Sequence, residues 1–470
     1  EPQGEPLRSQ PLDALTEHAH RSGLVGAVAL LALGLAAALG NAPGAGWRLV
    51  GVQLSAAGFP AVALVLALCG ALMAGTELLL RVRHRRIVAV SPLLRERRWA
   101  WFLAECVYCF AVDVGLLLLL RVGYQSINEY GFAGRAPYYR PWFLLLDVLI
   151  QAWLIAGLPY TVLTRALQHD PDDDRRSLAR LLLKAALRSG PAGPLAALRQ
   201  AVPLCGGVRD AAEGRFTADD RTAVLGLVVR AFFVPLMTVL FFEQFARVVS
   251  NWGFLLQRAS AGRLWAELTA REVYTLGVSL ILCLDAGLAW CGYVVASRWI
   301  ENKNVSVDPT MLGWLAVLLC FPPTQQVFAF YFTTPAEQGL FALRSGPLVA
   351  ALTALLLLAY LLSLSATVAF GLRFSNLTHR GILRRGPYAI VRHPAYAANA
   401  VVWWGVLLPQ VVGLAVQSGS AAGLTQIGAL AGLSALYALR AITEERHLRR
   451  DPAYRAYCRA VPYRFIPGLL

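Results

Sequence analysis

The chain has 470 residues, of which 57% are apolar and only 15% charged, with a mean hydropathy of +0.53. That composition excludes an ordinary soluble domain and puts the chain in the membrane class. The formal charge of +15 would suit a nucleic-acid binder. The bases, however, stand in loops beside apolar runs and read as topology signals, so no nucleic-acid partner is expected.

The opening stretch Glu1–His20 is polar and lacks the apolar core of a secretory signal, so none is expected. A crossing takes about 20 mostly apolar residues to traverse about 30 Å of hydrocarbon. Runs of that kind predict spans at 23–40, 59–80, 101–121, 142–164, 223–245, 272–297, 309–332, 347–371, 396–417 and 423–442. Alternate loops are rich in arginine: Arg81 to Arg98, the long stretch 165–221, and Arg373, Arg380, Arg384, Arg385 and Arg392. The intervening loops are poor in bases, with Arg48 alone in the first and no charge from 409 to 424. The positive-inside rule then predicts an all-α, polytopic helical membrane protein with about ten transmembrane helices and both termini cytoplasmic. The Arg-, Ala-, Leu- and Gly-rich usage fits a GC-rich bacterial genome, and so a multi-pass protein of the cell (inner) membrane.

Two segments depart from plain spans. Pro322-Pro323 predicts a kink or break in the seventh. Ser177–Arg188 reads as an amphipathic helix lying on the inner leaflet, with Leu178, Leu181, Leu182 and Leu183 on one side. Cys106-Val-Tyr-Cys109 has C-x-x-C spacing without a second pair or a histidine cluster, and is read as helix packing; no metal site is expected. Asp170-Pro-Asp-Asp-Asp174 runs straight into Arg175 and Arg176 and is read as a solvated loop. Within the spans lie Glu77, Glu105, Asp113, Asp147, Arg230, Glu243 and Asp285. Such charges act either as polar glue between helices or as parts of a substrate pocket or proton path. Arg230 is expected to pair with one of the carboxylates.

The last hundred residues differ in kind. Gly381-Ile-Leu-Arg-Arg-Gly-Pro-Tyr-Ala-Ile-Val-Arg-His-Pro-Ala-Tyr396 joins the eighth and ninth spans, and Thr443-Glu-Glu-Arg-His-Leu448 closes the tenth. Asp451-Pro-Ala-Tyr-Arg-Ala-Tyr457 and Val461-Pro-Tyr-Arg-Phe-Ile-Pro467 follow. Spans nine and ten form an antiparallel hairpin, so the two polar clusters can meet at the inner surface. That unites Arg392, His393, Tyr388, Tyr396, Glu444 and Glu445. Such a set suits a cofactor with a base, ribose hydroxyls and a zwitterionic amino-acid tail.

R-x-G-P-Y-x-x-x-R-H-P-x-Y, a hairpin, E-E-x-x-L and a P-x-Y-x-x-Y tail together resemble the isoprenylcysteine carboxyl methyltransferase and phospholipid N-methyltransferase group. The likeness covers roughly residues 370–470. It implies S-adenosylmethionine as methyl donor, bound from the cytoplasmic side, and a lipophilic acceptor (lipid, isoprenoid or quinone-like) entering from the bilayer. Carried over, Tyr388, Arg392, His393, Pro394, Tyr396, Glu444 and Glu445 line the cofactor pocket. The family often places a glycine soon after the H-P-x-Y tyrosine, whereas Ala397-Ala398-Asn399 stand here. The expected organisation is a six-helix region at 1–300, open to a membrane-protein partner, and a methyltransferase-like four-helix region at 301–470. The tail Tyr457–Pro467 also resembles that of the membrane sterol reductases, which use NADPH. A non-catalytic transporter or assembly subunit is the third reading.

Overall fold

A computed structural model describes residues 12–40, 47–49, 52–54, 58–83, 91–131, 136–167, 181, 217–264, 268–296, 300, 302–322, 340–341, 343, 345–418 and 420–469. The helices are α1 (Leu12–Gly40), α2 (Phe59–Arg83), α3 (Trp99–Ser126), α4 (Ala136–Leu167), α5 (Ala218–Ser260) and α6 (Ala270–Val294), then α7 (Met311–Leu318), α8 (Gly346–Phe370), α9 (Pro394–Ser418), α10 (Ser420–Leu448) and α11 (Pro452–Ala460). Two short antiparallel pairs accompany them: β1 (Trp47–Leu49) with β2 (Val52–Leu54), and β3 (Ser306–Val307) with β4 (Thr378–His379). Among the described residues nine helices, α1–α6 and α8–α10, are long and apolar enough to cross a membrane. The chain is an all-α polytopic membrane protein, as its composition predicts.

Local chemistry sets the helix starts. Thr217 and Asp220 form a reciprocal capping box at α5, and Thr269 and Glu272 do the same at α6. Pro394 is the first residue of α9, where its missing N–H costs nothing. Gly371 ends α8 at φ +50, and a Cβ there would fall 2.2 Å from the Ala19 carbonyl oxygen. A Cβ on Gly23 would fall 1.9 Å from the Val368 carbonyl oxygen. Small residues thus let α1 and α8 touch backbone to backbone, which joins the N-terminal helices directly to the C-terminal ones.

The helix ends fall at two levels. The start of α1 meets the α8–α9 loop, where Thr16 Oγ1 donates to the Ile382 carbonyl at 3.4 Å. The end of α2 meets it through Glu77 and Arg373, and β3 meets it through β4. We call this the site end. At the far end Phe341 packs edge-on against Tyr274, with rings 5.6 Å apart, and lies under Arg271. Val307 lies at the site end and Phe341 at the far end. Between them in sequence α7 packs alongside α10, with Arg446 donating to Thr310 Oγ1 at 2.8 Å. The helix stops at Leu318, ahead of Pro322, as a proline pair demands. Pro323 and the rest of the predicted seventh span lie outside the described residues. So do the amphipathic stretch 177–188 apart from Leu181, and the acidic run 170–174.

One proline reorganises the fold. Pro235 inside α5 lacks an N–H, which leaves the Ala231 carbonyl without its helical donor. In an apolar bundle that oxygen needs a partner, and the Tyr124 hydroxyl donates to it. Two residues on, Phe233 stacks on Tyr293, whose hydroxyl accepts from Asn376 N at 3.0 Å beside the site. The last turn of α3 is thereby tied to the first third of α5.

Four of the carboxylates inside the spans meet an arginine. Glu77 meets Arg373 at 2.9 Å, Glu105 meets Arg165 at 2.6 Å, and Asp147 meets Arg121 at 2.7 Å. Glu243 meets Arg247 at 2.7 Å. Asp285 accepts from the Thr367 hydroxyl at 2.5 Å.

Candidate functional site

The α8–α9 loop is held from three sides. Arg380 donates from Nη1 to the Gly292 carbonyl and from Nε to Asn304 Oδ1, each at 2.7 Å. The Tyr457 hydroxyl donates to the Tyr388 carbonyl at 2.7 Å. The C-terminal tail returns to pair with the loop, Arg392 N donating to Tyr463 O at 3.0 Å and His393 N to Arg464 O at 2.8 Å.

Beneath that pairing lies a charge knot centred on Glu445, whose side chain is 1% exposed. Its Oε1 accepts from Arg392 Nε at 2.8 Å and Arg464 Nε at 3.1 Å, with His393 Nε2 3.3 Å away. Its Oε2 accepts from Arg449 Nη2 at 2.9 Å and Arg464 Nη2 at 3.1 Å. Arg392 also donates to the Val461 and Pro462 carbonyls. These bonds to Glu445 raise the affinity of the Arg464 guanidinium for its proton. Arg392 and Glu445 thus use their charge to fasten the tail, with the His393 ring beside them.

Glu444, one residue earlier, points elsewhere, because neighbours on a helix diverge by about 100°. Its Oε2 accepts from the Tyr396 hydroxyl at 2.7 Å. Tyr396 stacks on His393 at 5.2 Å and lies 4.9 Å from the Arg440 guanidinium. Arg440 in turn donates to Asn376 Oδ1 at 2.5 Å. These groups line a cleft at the site end, together with Asp308, Thr378 and His447. Its closed part is about 30 Å³, room for about two waters, and with its mouth included it reaches about 370 Å³. Three buried polar atoms on its walls have no hydrogen-bond partner: Thr378 Oγ1, Arg440 Nε and His447 Nδ1. Unsatisfied buried donors and acceptors are costly, and here they converge on one space.

The seven residues expected to line a pocket therefore divide. Tyr396 and Glu444 face the cleft. Arg392, His393 and Glu445 stand behind it, and buried Pro394 starts α9. Tyr388 lies on the other flank, its ring edge-on to Phe370 at 5.0 Å. Burial first, then Glu444, Tyr457 and Asp285, hold its hydroxyl well above the usual tyrosine range. Sequence reading missed Arg440 and His447, although both follow from helical spacing: they lie four before and three after Glu444. Asp308 and Thr378 arrive through the β3–β4 pairing, which no local pattern announces. Among the described residues no cluster of His, Cys, Asp or Glu could hold a metal ion.

His379, on β4 next to Thr378, sits 3.3 Å from Asp451. Burial lowers its pKa below the ordinary 6.5, with Asp451 pulling the other way. The unfolded chain thus takes up this proton at higher pH than the folded one. Stability is full above about pH 6.5 and falls as pH drops toward the lowered folded value. Thermal unfolding in detergent should fall between about pH 7 and 5, and His379→Gln should flatten that slope. Parallel slopes for the two proteins would remove His379 from the account.

Residues 313–461, about a third of the chain, match the family described as "Protein of unknown function (DUF1295)". That family is associated with steroid 5-alpha-reductase-like and isoprenylcysteine methyltransferase-like membrane proteins. The match takes in the Glu445 knot except Arg464, and all of the named cleft residues except Asp308. No curated protein and no solved structure matches the chain.

Proposed function

We propose that this chain is a membrane methyltransferase that binds S-adenosylmethionine in the site-end cleft and methylates a lipophilic acceptor. The reading rests on one observation above the rest: the three unpartnered polar atoms on Thr378, Arg440 and His447 share a cleft with the Glu444 and Asp308 carboxylates. The donor set is right for a zwitterionic nucleoside. A carboxylate at Glu444 or Asp308 takes ribose hydroxyls or the ammonium, and Arg440 takes the amino-acid carboxylate. When bound, the donor supplies an electrophilic methyl on a cationic sulfur. The chain supplies alignment, and the tail fastened behind the cleft holds its wall in place. The closed space is too small for a nucleoside as it stands, so the Arg440 side chain has to swing off Tyr396 on binding.

A second reading, an NADPH-dependent reductase, draws on the family association and on the basic residues Arg446, Arg449, Arg450 and Arg464 near the cleft, which suit phosphates. Equilibrium binding of radiolabelled S-adenosylmethionine and of NADPH to the purified protein separates the two. Arg440→Leu and Glu444→Gln should each weaken donor binding about ten- to a hundredfold, the loss of one charged hydrogen bond. Glu105→Gln, on the α3–α4 hairpin, should leave it unchanged. NADPH binding alone selects the reductase, and binding of neither removes both readings.

A further inference from the structure

Asp285 differs from four other carboxylates inside the spans. Glu77, Glu105, Asp147 and Glu243 each hold an arginine, whereas the hydrogen bond to Asp285 comes from a hydroxyl: Thr367 donates to Oδ1 at 2.5 Å. Its Oδ2 is left for another donor, and the residue keeps part of its surface open although it lies deep on α6. A carboxylate in hydrocarbon without a cation is costly, and such a group marks a site by default. Its position is specific. Thr367 lies one turn below Phe370 on α8, and Phe370 carries the Tyr388 ring of the α8–α9 loop. Asp285 and Glu444 both act on the Tyr388 hydroxyl, so this flank adjoins the cleft at Glu444. Val278, Leu282 and Asp285 recur at helical spacing on α6, each partly open, and draw an apolar line from the membrane interior to the carboxylate.

We infer that Asp285 Oδ2 anchors the headgroup of a lipophilic ligand whose polar end is a hydrogen-bond donor, an alcohol, phenol or amine, lying along α6 beneath Tyr388. A carboxylate-bearing ligand is excluded from this place, since two carboxylates in low dielectric repel and neither finds a donor. Thr367 is a positioning residue: its hydroxyl occupies Oδ1 and turns Oδ2 to the ligand. Identifying this ligand with the methyl acceptor rests on the proposed function. The anchor itself does not.

The test uses the full chain in detergent with a hydrophobic carbodiimide, which labels membrane carboxyl groups, and peptide mass spectrometry to locate the label. Dodecanol is the protecting probe and dodecane the control, since an amine or a fatty acid would itself consume the carbodiimide. Label at Asp285 should be suppressed by the alcohol and not by the hydrocarbon. Label at Asp113, also within a span, should be indifferent to both. Asp285→Asn should weaken binding of radiolabelled dodecylamine about ten- to a hundredfold, and Thr367→Val less so. S-adenosylmethionine binding and the elution profile of each variant report whether it is folded. Equal protection by dodecane, no protection at all, or unchanged dodecylamine binding in folded Asp285→Asn would overturn the site. Failure of the parent to bind S-adenosylmethionine with protection at Asp285 intact would remove the methyltransferase reading and leave the anchor standing.

Discussion

Glu445→Ala is expected to release the C-terminal tail and destabilise the protein by about 3–5 kcal/mol, the cost of stranding a buried charge. Arg392 is buried, and its charge is matched by Glu445. Without that carboxylate it keeps only the Val461 and Pro462 carbonyls. A domain stable by about 5–15 kcal/mol does not absorb such a loss quietly. Glu445→Gln should fall between, because the amide still accepts one hydrogen bond but carries no charge. Arg464→Ala should cost least, since that side chain is 36% exposed and water replaces it. Thermal unfolding and limited proteolysis between Ala460 and Leu469 give the readout. A parent-like melting temperature with an uncut tail in Glu445→Ala would mean that the carboxylate serves a ligand and not the fold. This also dictates how ligand binding is tested. Variants of Arg392, His393 and Glu445 mix tail release with cofactor loss, whereas Arg440 and Glu444 touch the cleft alone.

The second large effect lies at the seam between the two halves of the chain. Glu77 and Arg373 are 0% and 1% exposed, and Ser22 adds a hydrogen bond to the same Glu77 oxygen at 3.1 Å. Glu77 Oε2 and Arg373 Nε and Nη2 have no partner. An ion pair so poorly satisfied adds little net stability, yet breaking it from one side leaves a bare charge. Arg373→Met and Glu77→Leu should each destabilise by about 3–5 kcal/mol, and the double variant should recover most of that loss. Denaturation of the three variants in the same detergent forms the cycle. A double variant as unstable as the sum of the singles would show that shape, not charge, makes the seam.

The sequence by itself determined the membrane class, nearly every helix and the meeting of the two C-terminal polar clusters. Those features are local. Hydrocarbon thickness sets span length, backbone groups in lipid have to bond within their own helix, and a short hairpin returns its ends to one face. Arg440 and His447 were legible too, by counting along α10 from Glu444. Tertiary structure alone decided which carboxylate does what. Glu444 and Glu445 are equivalent as letters, and only the returning tail makes one a fastener and leaves the other on a cleft. Pairings such as Glu77 with Arg373, Thr367 with Asp285 and β3 with β4 join residues distant in sequence. Their partners depend on how helices pack, and helix packing in lipid turns on close backbone contacts such as Gly23 against Val368. The Tyr124 hydroxyl makes the same point: it meets the Ala231 carbonyl that Pro235 frees, a pairing across 107 residues.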